Sequence, residues 1–183
     1  MDVQLKEMGI RLAELREIKD ITISQIAEKL NISVEEYVAY ENGEKDFSFS
    51  FMMSVATILG VDVISLLSGQ SPKLEDCALV KKGQEFFITK EGAYDYKHLA
   101  YTFQNKKAEP FFVTSMPGEK DEVLHSHSGQ EFNFVLSGSM RLTVGDTSYD
   151  LNSGDSVYFN SSIPHGIEVL GDKAVKFLAV VMK

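Results

Sequence analysis

Two different periods of apolar and polar residues run along the chain. Up to about residue 68 the apolar positions recur at three- and four-residue steps. Leu5, Met8, Leu12, Leu15 and Ile18 fall on one face and predict an amphipathic helix. Thr22 is placed to cap a second helix over Ile23 to Leu30, and Asn31-Ile32 reads as a short turn. Ser33 caps a third, with Glu36 three residues on as the partner of a capping box. That helix carries Val34, Tyr37 and Val38 and ends at Asn42-Gly43, a left-handed C-terminal signal. Phe51 to Leu59 predicts a fourth helix ending at Gly60, and Asp62 caps a short fifth, Val63 to Leu67.

After Ser68-Gly69-Gln70-Ser71-Pro72, a polar stretch that marks a domain boundary, the period becomes that of strands. Lys97 to Phe103 puts Leu99, Tyr101 and Phe103 on one face. Pro110 to Met116, Glu131 to Leu136 and Met140 to Val144 are apolar runs of strand length, and Val175 to Met182 reads as a buried last strand. Gly145-Asp146 is a hairpin signal, and Asn152-Ser153-Gly154-Asp155 and Gly171-Asp172 are further turns. Many short strands with regular turns predict a β-sandwich or barrel. The expected organisation is α+β: an all-α domain over 1–68, a linker over 69–84 and a β-domain over 85–183.

Composition narrows the class. Of 183 residues, 44% are hydrophobic and 25% charged, which is globular usage and excludes a collagen-like or disordered chain. One cysteine, Cys77, cannot form an internal disulfide, and the charged start does not read as a secretory signal. The longest uncharged run, Phe47 to Val61, is shorter than the ~20 apolar residues of a membrane span. These features predict a soluble cytoplasmic protein with no membrane partner. The net charge of -9 works against phosphate contacts, and residues 1 to 70 hold six Lys/Arg against twelve Asp/Glu.

Two helices joined by a tight turn, the second exposed at its start, form a helix-turn-helix, whose second helix can enter a major groove. The helical half resembles the lambda-repressor-like (XRE) DNA-binding class. The matching stretches are Arg11-Leu12-Ala13-Glu14-Leu15-Arg16, Ile26 to Ser33, Tyr40-Glu41-Asn42-Gly43 and Val55 to Val61. The resemblance places Ser33, Val34, Glu35 and Ala39 towards bases, and Arg16 and Lys45 towards phosphates, with Arg11 and Lys19 as further cations. The family often has Gln where Ile23 stands and Gln or Arg where Val34 stands, and the recognition helix has no basic residue. A five-helix scaffold that serves dimerisation or covers a pocket is the alternative.

Three of the four histidines fall in His125-Ser126-His127 and Pro164-His165. Residues two apart on a strand point the same way, so His125 and His127 can converge, with Glu131 four further on and His165 from a neighbouring strand. Three imidazoles and a carboxylate suit a divalent transition metal, whether Fe, Mn, Zn, Ni or Co. The segment resembles the cupin superfamily, a double-stranded β-helix barrel. Its first motif is Gly118, His125-Ser126-His127, Glu131 and Gly138; its second is Gly154-Asp155 and Pro164-His165-Gly166. The departures are one extra residue between Gly118 and His125, and Asn160 in place of the usual Pro. The resemblance implies His125, His127, Glu131 and His165 as metal ligands. Tyr94, Tyr96 and His98 alternate on one face, and Tyr96, His98 and Arg141 are the candidate effector pocket. Phe111, Phe132, Phe134 and Phe159 read as barrel core.

The layout resembles one-component regulators, in which a small-molecule effector in the cupin barrel alters a homodimer's spacing on DNA half-sites about 34 Å apart. No catalytic residue is expected on this reading. The layout also resembles the hydroxypropylphosphonate epoxidases, mononuclear non-haem iron cupins whose helical domain helps cover the active site. There His127, Glu131 and His165 match the ligands, His125 would be an extra one, and Asp20, beside Lys19, stands where a substrate-contacting lysine is expected.

Overall fold

The computed structural model describes residues 3–69, 74–89, 94–118 and 124–182. Two compact units part between Lys73 and Leu74. Gln70, Ser71 and Pro72 of the expected linker lie outside the described residues.

The first unit is five helices: α1 (Val3–Ile18), α2 (Ile23–Leu30), α3 (Val34–Glu41), α4 (Phe49–Leu59) and α5 (Val63–Ser68). Local chemistry sets their ends. Thr22 and Gln25 form a full capping box at α2, a signal present in the sequence as Thr22-Ile23-Ser24-Gln25. At α3 the Ser33 hydroxyl accepts the Glu36 N–H, but the Glu36 carboxylate pairs with Lys45, so the reciprocal half of the expected box is not made. Ser48 and Asp62 cap α4 and α5, and Gly60 closes α4 in the left-handed region. Met8, Leu12, Ile26, Tyr37, Val55, Leu59, Val63 and Leu66 form the core. Tyr40 stacks on Phe51 at 3.7 Å, with Phe47 edge-on to both. The apolar stripe of α1 departs from its expected end. Ile18 is 74% exposed, and the buried position of that turn is Arg16. Gly9 lets α1 approach α3, since a Cβ there would sit 2.4 Å from the Glu41 carbonyl oxygen.

The second unit is all β: β1 (Phe86–Thr89), β2 (Tyr94–His98), β3 (Ala108–Ser115), β4 (Gln130–Ser137), β5 (Ser139–Val144), β6 (Thr147–Asn152), β7 (Ser156–Asn160), β8 (His165–Leu170) and β9 (Val175–Met182). They form a six-stranded sheet, β1-β2-β3-β9-β4-β7, and a three-stranded sheet, β6-β5-β8, with every pairing antiparallel. Strict alternation sets the inner face: Glu109, Phe111, Val113 and Ser115 of β3, and Val175, Phe177, Ala179 and Val181 of β9, are buried. Each buried Val or Phe contributes ~1.5–3 kcal/mol relative to exposure. The Tyr94 hydroxyl donates to the Ile167 carbonyl and ties β2 to β8. Gly138, at φ 80°, carries the chain from one sheet to the other where a Cβ would meet the Ala174 carbonyl at 2.6 Å.

Two strand expectations change. The Lys97 to Phe103 strand stops at His98, because the His98 ring accepts the Ala100 N–H and bends the chain off the ladder. Phe103 instead bridges Leu74, which ties the start of the second unit to this loop. Phe132 and Phe134 alternate with buried Glu131, Asn133 and Val135, so they face away from the core, whereas Phe111 and Phe159 face into it.

Candidate metal centre

The edges of two strands bring the candidate ligands together. Glu131 is the second residue of β4 and points inward. His165 opens β8, placed there by the turn after β7, where Asn160 takes the Ser162 N–H on its side-chain oxygen. His127 lies between, its backbone N–H held by the Ser161 carbonyl at 3.0 Å. Among the described residues, His127, Glu131 and His165 form a group whose ligand atoms all lie within 4.8 Å of one another. His127 Nε2 is 3.2 Å from Glu131 Oε2, and His165 Nε2 is 3.9 Å from the same oxygen. The two rings meet edge to face at 5.2 Å.

Donors about 2.1 Å from one ion stand roughly 3–3.4 Å apart at octahedral to tetrahedral angles; the His127–Glu131 separation of 3.2 Å lies in that range, and the His165–Glu131 separation of 3.9 Å lies outside it, so His165 would have to close by about half an ångström to share an ion with them. The outer hydrogen bonds orient it. His165 Nδ1 donates to the Ile163 carbonyl at 2.9 Å, which leaves Nε2 as the ligand nitrogen. The Asn133 amide donates to Glu131 Oε1 at 2.9 Å, so Oε2 is the oxygen turned towards the histidines. Burial lowers the His165 pKa below the usual imidazole value, which favours the neutral, ligating form. His127 and Glu131 are buried and His165 is half-buried.

The fourth expected ligand stands apart. His125 and His165 exchange backbone hydrogen bonds at 2.8 Å in an isolated bridge, and the His125 ring is outside the group of three. Three of the four expected ligands, His127, Glu131 and His165, thus fall in the group of mutually close donor atoms.

The effector candidates separate. Tyr94, Tyr96 and His98 share one face of β2, the face of buried Phe111 and Val113. His98 is not available to a ligand, because Nδ1 accepts the Ala100 N–H and Nε2 donates to Glu109 at 2.8 Å, and its side chain is fully buried. Lys106 Nζ lies 3.6 Å from the same Glu109 oxygen. Arg141 alternates with buried Met140 and Leu142, so it faces outward. It makes a two-pronged pair with Asp150 at 2.7 and 2.9 Å and does not join Tyr96 and His98. The sequence reading missed Asn133 and the Glu109–Lys106 pair. Asn133 was within reach of the two-residue period, which puts it on the same face as Glu131.

In the helical unit Ser33, Val34 and Glu35 are exposed at the start of α3, with Ala39 half-buried one turn on. Arg16 does not face solvent: its guanidinium donates to Glu41 at 2.6 and 3.2 Å and to the Ile21 carbonyl. Arg11 donates to the Leu66 and Leu67 carbonyls at the end of α5. Lys45 pairs with Glu36 and lies over the Tyr40 ring. Among the described residues of the unit, the exposed cations that remain are Lys6, Lys19 and Lys29.

Comparison with known proteins places both units. Residues 9–71 match the model of a helix-turn-helix domain, and residues 111–181 match that of a cupin domain. The chain is 25% identical over 182 residues, 92% of each chain, to (S)-2-hydroxypropylphosphonic acid epoxidase of Streptomyces wedmorensis. It is 22% identical over 157 residues to the HTH-type transcriptional regulator PuuR of Escherichia coli, covering 86% of this chain and 84% of that one. The crystal structure of an HTH_3 family transcriptional regulator from Vibrio cholerae superposes with a TM-score of 0.73 at 17% identity, over 98% of this chain and 97% of the other. The chain therefore carries an N-terminal helix-turn-helix domain followed by a cupin domain.

Proposed function

We propose that the chain is a DNA-binding transcriptional regulator, a homodimer in the cytoplasm, whose cupin domain holds a divalent transition metal and takes a small-molecule effector. The observation that carries this reading is the capped α2–turn–α3 unit with Ser33, Val34 and Glu35 open at the start of α3, joined in one chain to a three-donor cupin site. His127, Glu131 and His165 would hold the metal, which supplies a Lewis-acidic anchor for an anionic or polar effector. Tyr96 is the remaining effector-facing candidate of β2. Glu35 can accept from a cytosine amino group.

With Arg11, Arg16 and Lys45 engaged within the unit, phosphate contact falls to Lys6, Lys19, Lys29 and backbone N–H groups. These three cations alone give a salt slope of about -3 per chain, from about -0.9 per phosphate neutralised. The test is a gel shift on DNA upstream of the protein's own coding region at low salt, with and without added metal. A saturable, salt-sensitive shift is expected; no shift in either condition overturns the reading.

A second reading is a mononuclear non-haem metal-dependent enzyme of the epoxidase or oxygenase type. The position of the His125 ring outside the donor group favours it, because two histidines and one carboxylate leave positions for substrate and oxygen. The acidic first turn of α3 fits it as well. Oxygen consumption by the iron-loaded protein with hydroxyalkylphosphonates supports this reading, and none excludes it for those substrates.

A further inference from the structure

Asn133 is 2% exposed, sits on the inner face of β4 and touches the carboxylate of the metal centre. We infer that Asn133 is a positioning residue that holds Glu131 as a one-oxygen ligand. The inference rests on the metal reading of His127, Glu131 and His165.

The argument starts from the amide. A carboxylate only accepts hydrogen bonds, so the atom 2.9 Å from Glu131 Oε1 is the NH2 end of Asn133. That contact fixes which way the amide points. Its oxygen, Oδ1, is then buried with no hydrogen-bond partner, an arrangement that is unfavourable for folding. Backbone pairing holds the residue in place: Asn133 lies between Ala179 of β9 and Val157 of β7, in register with both. A Val or Leu would pack at this inner position without leaving a buried acceptor unpaired. The polar residue therefore answers to Glu131 rather than to the core.

The consequence is directional. Oε1 is occupied by the amide, and Oε2 faces His127 Nε2 at 3.2 Å and His165 Nε2 at 3.9 Å. With Oε1 held, Glu131 offers one donor and the protein offers three in all. Without the amide the carboxylate is free to turn or to present both oxygens, so affinity and ligand geometry both change. Outer partners of metal ligands typically contribute 10- to 100-fold in metal affinity.

The test uses the full chain and zinc or cobalt(II) alone. Affinity is measured by chelator competition for the wild type, Asn133→Leu and Asn133→Gln, with unfolding of each metal-free protein followed in parallel. Asn133→Leu is expected to bind 10- to 100-fold more weakly and to shift the cobalt(II) absorption bands, while Asn133→Gln, which keeps the donor, recovers part of the affinity. A readout on the wild type stands apart from the folding of variants: the Asn133 side-chain amide signals of the zinc-loaded protein are expected away from those of exposed asparagines and slow to exchange. Equal affinity and an unchanged cobalt(II) spectrum in a folded Asn133→Leu overturn the inference and leave the metal reading standing, as do amide signals that coincide with those of exposed asparagines. No binding by the wild type overturns the metal reading and this inference with it.

Discussion

At the scale of single residues, the same chemical types do opposite work according to burial. Arg16 was expected to meet phosphate and instead spans α1 and α3 through Glu41, with its side chain 9% exposed and that of Glu41 11%. Breaking a buried pair leaves a charge without its partner, at a cost of about 3–5 kcal/mol. Arg16→Ala is thus expected to lower the denaturation midpoint of the helical unit strongly, as read by circular dichroism against denaturant; a change below about 1 kcal/mol would contradict this placement. His165 gives a pH dependence with a definite sign. Its pKa is lowered in the folded state by burial, so the unfolded chain binds more protons and the metal-free protein loses stability as pH falls below the ordinary imidazole value of about 6.5. His165→Gln is expected to flatten that part of the profile of unfolding temperature against pH, and an unaltered profile would contradict it. The pairing of Arg16 with Glu41 was not legible in the sequence, because 25 residues separate the partners and either reads equally well as a solvated charge.

Elements were more legible than contacts, and the reason is locality. Thr22, Ser33, Ser48 and Asp62 each bond a backbone N–H two or three residues on, so their signals are complete within a few positions. Ser48 was nonetheless missed, and α4 starts at Phe49 rather than Phe51. Strands are harder, since ladder partners lie far along the chain. Alternation alone extended β2 to Phe103, although a side-chain bond from His98 ends it. It likewise does not fix which face is the inner one: Phe132 and Phe134 read as barrel core from their apolar character, and both alternate with the buried Glu131, Asn133 and Val135 instead. Gly138 carries a prediction of this scale: Gly138→Ala meets both a positive φ and the Ala174 carbonyl, so β4 and β5 lose their connection geometry. Its midpoint for thermal unfolding is expected to fall by several degrees, whereas Gly83→Ala, which shares a positive φ of 86° but has nothing within 4 Å of the added carbon, meets the backbone strain alone and is expected to lower it less. Equal effects would contradict the close approach.

Across the whole molecule, charge and site chemistry set the limits on function. The chain carries -9, and the described residues of the helical half keep three exposed cations after their internal pairings. Any DNA complex is therefore expected to be weakly anchored at phosphates. Among the described residues, no helix is long and apolar enough to cross a membrane. Both readings of function share one chemical centre, the convergence of His127, Glu131 and His165. Its most direct measurement is the metal content of the protein purified without chelators and then titrated with a divalent transition metal, wild type beside His127→Ala. One equivalent per chain in the wild type and less than a tenth of that in a folded His127→Ala is the predicted result. Equal metal content in the two proteins would contradict the assignment of the centre.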